Sequence, residues 1–299
     1  MAPATTANLG PGYDCLGLAL DLWNTLEVSK CPADFVGEPL IEVVGEGAGE
    51  LPADEHNLVY RAMELLFQEI DREIPPLQLR CHNEIPLQRG LGSSAAAIAG
   101  GLIAANMLCA NPLTSNELVD MAVTIEGHPD NVAAAVLGGL QLVVTAQDQV
   151  YTAPVNMPPD LRVVLFIPEL RIATSDSRAV LPDKITMADA VHNASRTALI
   201  VAGMATNHLE YLDLATEDRF HQPYRQRLFP AMKLLFRAAR DAGALGVFLS
   251  GSGSTVVAFT QGREMTVAYE MAEAARQAGA DGRIRVTRPA VRGAHPLDD

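Results

Sequence analysis

Lysine is nearly absent from this chain of 299 residues: Lys30, Lys184 and Lys233 are the whole supply, and arginine carries the rest of the positive charge. Any anionic ligand must therefore be met by arginines, backbone amides or a metal ion. No run of about 18 apolar residues occurs, and no basic stretch backed by an apolar block opens the chain, so neither a membrane span nor a secretory signal is expected. Cysteine is sparse too. Cys15, Cys31, Cys81 and Cys109 form no C-x-x-C pair and have no histidine at metal-ligand spacing. Disulfide and zinc readings are both weak, and a reducing, cytoplasmic setting fits. With 22 basic residues against 36 acidic ones the net charge is −14, a surface that repels nucleic acid and anionic lipid at long range. The apolar fraction of 48% can fill a real core in one large or two modest domains.

Along the chain, the first 30 residues read as an irregular Gly/Pro/Asn segment running into Leu16 to Val28, whose mixed apolar and polar order is consistent with strand after Gly17. His56 to Ile70 has helical spacing and Leu77 to Cys81 alternates like a strand. Helices are expected over Ala95–Leu108 and Asn116–Ile125, with a third starting at Pro129 and ending at Gly138-Gly139, before a strand at Leu140–Thr145. Tyr151 to Pro159 contains three prolines and marks a boundary, giving units of residues 1–155 and 156–299. Beyond it come a strand (Leu161–Ile167), helices over Thr186–Met204 and Pro223–Ala242, and strands Leu245–Leu249 and Thr255–Thr260 around the turn Ser250–Ser254. A helix (Met265–Ala278) and a strand (Arg283–Val286) complete an α+β pattern, with disorder expected only in the last few residues.

The segment Pro86 to Ala95, P-L-Q-R-G-L-G-S-S-A, places a glycine turn and two capping hydroxyls directly before an alanine-rich helix. Such a turn points unpaired N–H groups outward at the positive end of the helix dipole, which suits phosphate. It is not a Walker loop, because no lysine follows Gly92, and not a dinucleotide fingerprint, because G-x-G-x-x-G is incomplete. A ligand-free helix start explains the same residues.

Three segments decide between these readings. Pro3 to Asp14 (P-A-T-T-A-N-L-G-P-G-Y-D), Pro86 to Ala95, and Leu249 to Ser254 (L-S-G-S-G-S) occur in that order at the start, first third and end of the chain. They resemble the three motifs of the GHMP kinases, and E-G-H-P-D-N at Glu126 to Asn131 with D-R-F-H-Q-P-Y-R at Asp218 to Arg225 are similar to the homoserine-kinase branch. Thr5 stands where the mevalonate and diphosphocytidyl-methylerythritol kinases carry lysine, and the branch usually has a few more N-terminal strand residues before the first proline. The resemblance implies a two-domain GHMP kinase fold, with an N-terminal ATP-binding α/β domain and a C-terminal ferredoxin-like α+β domain. It implies transfer of phosphate from ATP to homoserine on the route to threonine, and a homodimer.

The resemblance also assigns roles. Pro86, Leu87, Gln88, Arg89, Gly90, Leu91, Gly92, Ser93, Ser94, Ala95 and Ala96 wrap the ATP phosphates, Asn57 contacts adenine, and Ser94 with Glu126 holds Mg2+. Arg178 and Arg225 take the acceptor's carboxylate, Asp14 its ammonium, with Thr5, Asn8 and Gly251 beside it. His128 and Asn131 lie near the acceptor hydroxyl, and Arg178, His128 and Asn131 form the catalytic group. Sister kinases place an aspartate at the position of Asn131; an amide takes no proton at neutral pH, so the proton is expected to pass to a phosphate oxygen, with Asp130 an adjacent alternative. Blander readings stand beside these: Glu126 as a solvated helix-end carboxylate, Asn57 as a cap, His128 as a structural histidine, and Ser250–Ser254 as a plain hairpin turn. A kinase for another small alcohol, or a silent member of the fold, are the competing functions.

Overall fold

The computed structural model describes residues 1–31, 37, 39–147 and 149–297. In the first half, β1 (Ala2–Ala7), β2 (Leu16–Lys30), β3 (Leu40–Gly45), α1 (Leu58–Glu69), β4 (Leu77–Asn83), α2 (Ser93–Leu108), α3 (Ser115–Glu126), α4 (Pro129–Leu137), β5 (Leu140–Ala146) and β6 (Gln149–Val155) follow one another. Their strands form a six-stranded sheet in the order β3-β4-β2-β5-β6, with β1 also paired to β2. Only the β3–β4 pair is parallel. Long β2 spans the sheet because it pairs with β1 and β5 near its start and with β4 over Thr25–Lys30.

Two expectations change here. The irregular start is a strand, β1, every residue of which is buried; a segment enclosed on both faces lacks the alternation by which strands are read. Residues 151–155 belong to β6 rather than to a linker, Pro154 being tolerated because β6 is an edge strand.

The second half contains β7 (Arg162–Pro168), α5 (Thr174–Ala179), α6 (Met187–Thr206), α7 (Leu212–Ala215), α8 (Gln222–Arg225), α9 (Met232–Asp241), β8 (Gly246–Leu249), β9 (Val256–Thr260), α10 (Glu264–Gln277) and β10 (Gly282–Thr287). The sheet order β10-β7-β9-β8, all antiparallel with helices between the first and second and the third and fourth strands, is the ferredoxin-like arrangement. The single helix expected over Pro223–Ala242 is broken into α8 and α9. Pro230 lacks the N–H a helix interior needs and its ring clashes with the preceding turn.

Sheet alternation divides the core. Val164, Phe166, Val247 and Ala258 pack with Leu235, Met271 and Ala275 of α9 and α10. Val163, Leu165, Phe248 and Phe259 on the other face join the larger core under α1–α4. The larger core thus takes residues from both sides of Val155, after which we propose the division of the chain, and residues 288–295 also return to β2, α4 and the N-terminus through bonds such as Asp21 N to Arg288 O and Ala294 N to Ala135 O. Among the described residues no helix is long and apolar enough to cross a membrane. The expected disorder at the very end concerns Asp298 and Asp299, which lie outside the described residues.

Candidate active site

The three motif segments converge. Gly90 and Gly92 adopt φ of +71° and +64°, a left-handed backbone that favours glycine, and each also meets a neighbour too closely for a side chain. A Cβ on Gly90 would lie 2.1 Å from Ser250 O, and one on Gly92 would lie 1.8 Å from Thr5 Oγ1. Ser250 Oγ binds Thr6 Oγ1 and Gly90 O, Gly251 N donates to Ala7 O, and Thr255 N donates to Arg89 O. The Ser250–Ser254 turn thus holds the glycine loop against β1, which an ordinary hairpin turn does not do.

Gly92 is the left-handed N-cap of α2 and offers no side-chain cap. The expected capping role of Ser93 and Ser94 is therefore corrected: both lie inside the first turn. The first helical bond runs from Ala96 N to Gly92 O, which leaves the amides of Ser93, Ser94 and Ala95 without intrahelical partners. With the helix dipole behind them they form an anion cradle.

E-G-H-P-D-N is the corner between α3 and α4. Gly127 ends α3 in the left-handed conformation, His128 is the extended N-cap of α4, and Pro129 occupies its first turn. This corner carries Glu126 to Ser94, whose Oγ donates to Oε1 at 2.7 Å. Burial pushes the Glu126 carboxyl up, with Ser94 opposing. A half-buried carboxylate beside a hydroxyl at the mouth of an anion cradle fits a divalent cation with the remaining positions left to phosphate and water. Asn131 accepts from Thr5 Oγ1 at 2.7 Å and donates to Asp130 Oδ1. Burial, then the Arg178 charge, holds His128 below the usual histidine value, so it is neutral at pH 7.

Opposite lies a cluster of charge. Arg178 on α5 pairs with both Asp14 oxygens at 2.8 and 3.1 Å and donates to Tyr13 Oη at 2.7 Å. Arg225 on α8 is 3% exposed. Its Nε donates to Ser177 O, and its Nη1 to Gly251 O and His221 Nδ1. The Tyr13 ring lies 5.4 and 5.6 Å from the two guanidinium carbons. The segment that delivers Arg225 is itself tied to the first motif. Asp218 accepts from the amides of Phe220, His221 and Gln222 and from Asn193 Nδ2, Asn193 donates to Pro11 O, and His221 Nε2 meets Gly10 O. Since Nε2 must donate to that carbonyl, Nδ1 is the acceptor for Arg225; burial keeps this imidazole neutral against the pull of Asp218.

Cradle and charge cluster line one cavity of about 440 Å³, which Asn8, Asp14, Asn57, Ser94, Glu126 and Arg225 help to wall. Of the residues expected from sequence, Pro86 to Ser94, His128, Asn131, Arg178 and Gly251 also line it. Thr5, Ala95 and Ala96 do not: Thr5 stands behind Asn131, and both alanines point into the core. Asn57 caps α1, accepting from Val59 N at 3.0 Å, as well as lining the cavity. The Arg89 side chain spends three of its five N–H donors on the carbonyls of Leu87, Pro168 and Glu169. Sequence reasoning missed Tyr13 and His221. Their signals were present: Tyr13 directly precedes Asp14, and His221 is four residues, one helical turn, before Arg225.

The model for the GHMP kinases N terminal domain matches residues 57–139, and that for the GHMP kinases C terminal domain matches 197–281. The homoserine kinase of Moorella thermoacetica is 45% identical over 98% of this chain and 97% of its own. That of Carboxydothermus hydrogenoformans is 43% identical over 99% and 96%. The crystal structure of homoserine kinase from Cytophaga hutchinsonii superposes with a TM-score of 0.88 at 29% identity, covering 98% of this chain and 94% of that one. With both family models in place on one motif-built cavity, this chain belongs to the homoserine kinase family of the GHMP kinases.

Proposed function

We propose that the protein transfers the terminal phosphate of ATP to the side-chain hydroxyl of L-homoserine, giving O-phosphohomoserine for threonine synthesis. The observation that carries this is the single cavity with an anion cradle at one end and a zwitterion-shaped set of charges, Asp14 with Arg178 and Arg225, at the other. A substrate with a carboxylate, an ammonium and a hydroxyl satisfies both ends at once.

The residues divide the work by position. The Ser93, Ser94 and Ala95 amides cradle phosphate, Asn57 and the Pro86–Leu91 wall flank the nucleotide, and Ser94 with Glu126 would hold Mg2+, which neutralises phosphate charge when bound. Arg225 presents Nη2, the guanidinium nitrogen left over from its internal bonds, to the acceptor's carboxylate. Arg178 and Asp14 satisfy each other in the free protein and exchange that pairing for carboxylate and ammonium when the substrate enters. Asn131, with its carbonyl fixed by Thr5, orients the hydroxyl beside Gly92, and neutral His128 supports it. Catalysis on this reading is alignment and charge stabilisation, the hydroxyl proton passing to a phosphate oxygen in a loose transition state.

The test is ADP release by the purified protein with Mg-ATP, with homoserine and with mevalonate, shikimate and serine as controls. Stimulation by homoserine alone is expected; stimulation by a different alcohol, or none with ATP still bound, rejects the substrate. The same reading extends to a homodimer in the cytoplasm, which sedimentation and fractionation check.

A further inference from the structure

Asp130 is a carboxylate of the cavity that these roles leave unused. It lies in the first turn of α4, where an aspartate ordinarily sits exposed and bonds the free amides, yet it is 2% exposed and on the cavity wall. Its Oδ1 accepts from Asn131 N at 2.8 Å and Asn131 Nδ2 at 3.3 Å. Asp14 lines the same cavity.

We propose that Asp130 is a second carboxylate of the ammonium pocket, acting with Asp14 to select acceptors that carry a cation beside the hydroxyl. This rests on the homoserine reading of the site. Both carboxylates line the one cavity, and each acts on the groups about it. Burial first, then the Asp14 charge, pushes the Asp130 carboxyl up to about 7. The Cys15 thiol between them in sequence is pushed up to about 11 by burial and then by both charges. Burial and the Asp14 charge also raise the Tyr13 phenol, with Asp130 adding to it. Arg178 is the one cation whose field reaches both, and it is bonded to Asp14. When Arg178 turns to the substrate's carboxylate, Asp14 and Asp130 are left as two like charges in a desolvated pocket. An ammonium with three N–H donors is what such a pair lacks.

The groups around the Asp130 carboxyl are Asn131 on its own element, Tyr13, Asp14 and Cys15 from the loop after β1, and Arg178 from α5. Only Asp130 among them gains negative charge between pH 6 and 8. Its raised value means that it is largely protonated at pH 6 and ionised at pH 8, so homoserine binds more tightly as pH rises through that window.

The experiment compares homoserine with 4-hydroxybutanoate, which keeps the carboxylate and hydroxyl and lacks the ammonium, in the wild type and in Asp130→Asn. Affinity is read as KM, or as the inhibition constant where turnover is low. Asn keeps an oxygen for Asn131, and the loss for homoserine is expected to be at least tenfold greater than the loss for 4-hydroxybutanoate. In the wild type the homoserine KM is expected to fall severalfold from pH 6 to 8 while the value for 4-hydroxybutanoate stays level; this arm stands even if the variant does not fold. Equal losses for both alcohols overturn the proposal, as does a fall in kcat at constant KM, which is the mark of a general base. A wild type that does not use homoserine at all rejects the underlying reading instead.

Discussion

Replacing Arg225 with leucine separates the two halves of the cavity. The guanidinium is buried and fixed by three internal bonds, to Ser177 O, Gly251 O and His221 Nδ1, so it reaches a carboxylate with little ordering left to do. Truncating one partner of a buried, hydrogen-bonded charge pair costs about 2–5 kcal/mol. Taking about 3 kcal/mol, the homoserine KM should rise roughly 150-fold. The nucleotide end, walled by Asn57, Pro86–Ser94 and Glu126, does not touch Arg225, so the KM for ATP should change less than about threefold by the same arithmetic. Leucine also strands three acceptors, at about 1 kcal/mol each, so a lower Tm is expected and must be measured alongside. Coupled ADP release, titrating each substrate at saturation of the other, gives both values; 3-aminopropan-1-ol, which lacks the carboxylate, serves as the control and should bind wild type and variant alike. A rise in the ATP KM in step with that for homoserine would refute the carboxylate assignment.

Three further substitutions probe the cradle and the corner. Gly92→Ala drives a methyl into Thr5 Oγ1 at a φ of +64°, so ATP binding measured by calorimetry should fall at least tenfold and thermal stability should drop. Glu126→Gln removes the half-buried carboxylate beside Ser94; the Mg2+ concentration for half-maximal activity should rise about tenfold, and an unchanged requirement would remove Glu126 from the metal site. Asn131→Ala should lower kcat but leave measurable turnover, because an amide orients the hydroxyl without taking its proton; complete inactivity with both substrates bound would assign Asn131 to the chemical step.

Most helices and strands were legible from periodicity because one face of each is buried and the other wet. The failures share a cause. β1 is enclosed on all sides and shows no alternation, β3 was not recognised, and the break at Pro230 hides between two stretches that each keep helical spacing. At the site, residue types were readable but their partners were not. Nothing local in Ser250–Ser254 reveals that Ser250 reaches Thr6, nor in Asp218–Arg225 that His221 reaches Gly10, since these contacts join positions more than 200 residues apart. Ser93 and Ser94 were misread as caps because the usual cap chemistry and a bare glycine start look alike until the Gly92 backbone is known.

The scarcity of lysine acquires a structural meaning at the cradle. Arg89, the arginine nearest in sequence, spends three of its five side-chain donors on Leu87, Pro168 and Glu169, while Arg178 and Arg225 belong to the charge cluster at the other end. Among the described residues no lysine lines the cavity, and the amides of the cradle are accompanied by a carboxylate, Glu126, whose charge repels a triphosphate. Two unit charges 4 Å apart interact by about 4 kcal/mol at the effective dielectric of a protein surface, so this repulsion is large enough to suppress nucleotide binding by roughly three orders of magnitude if nothing compensates. A kinase with a lysine in its loop carries part of that compensation covalently. On the proposed reading it arrives with the nucleotide, so ATP binding measured by calorimetry is expected to weaken steeply when the cation is chelated, whereas homoserine binding at the acceptor end, with its own arginines, is expected to stay unchanged.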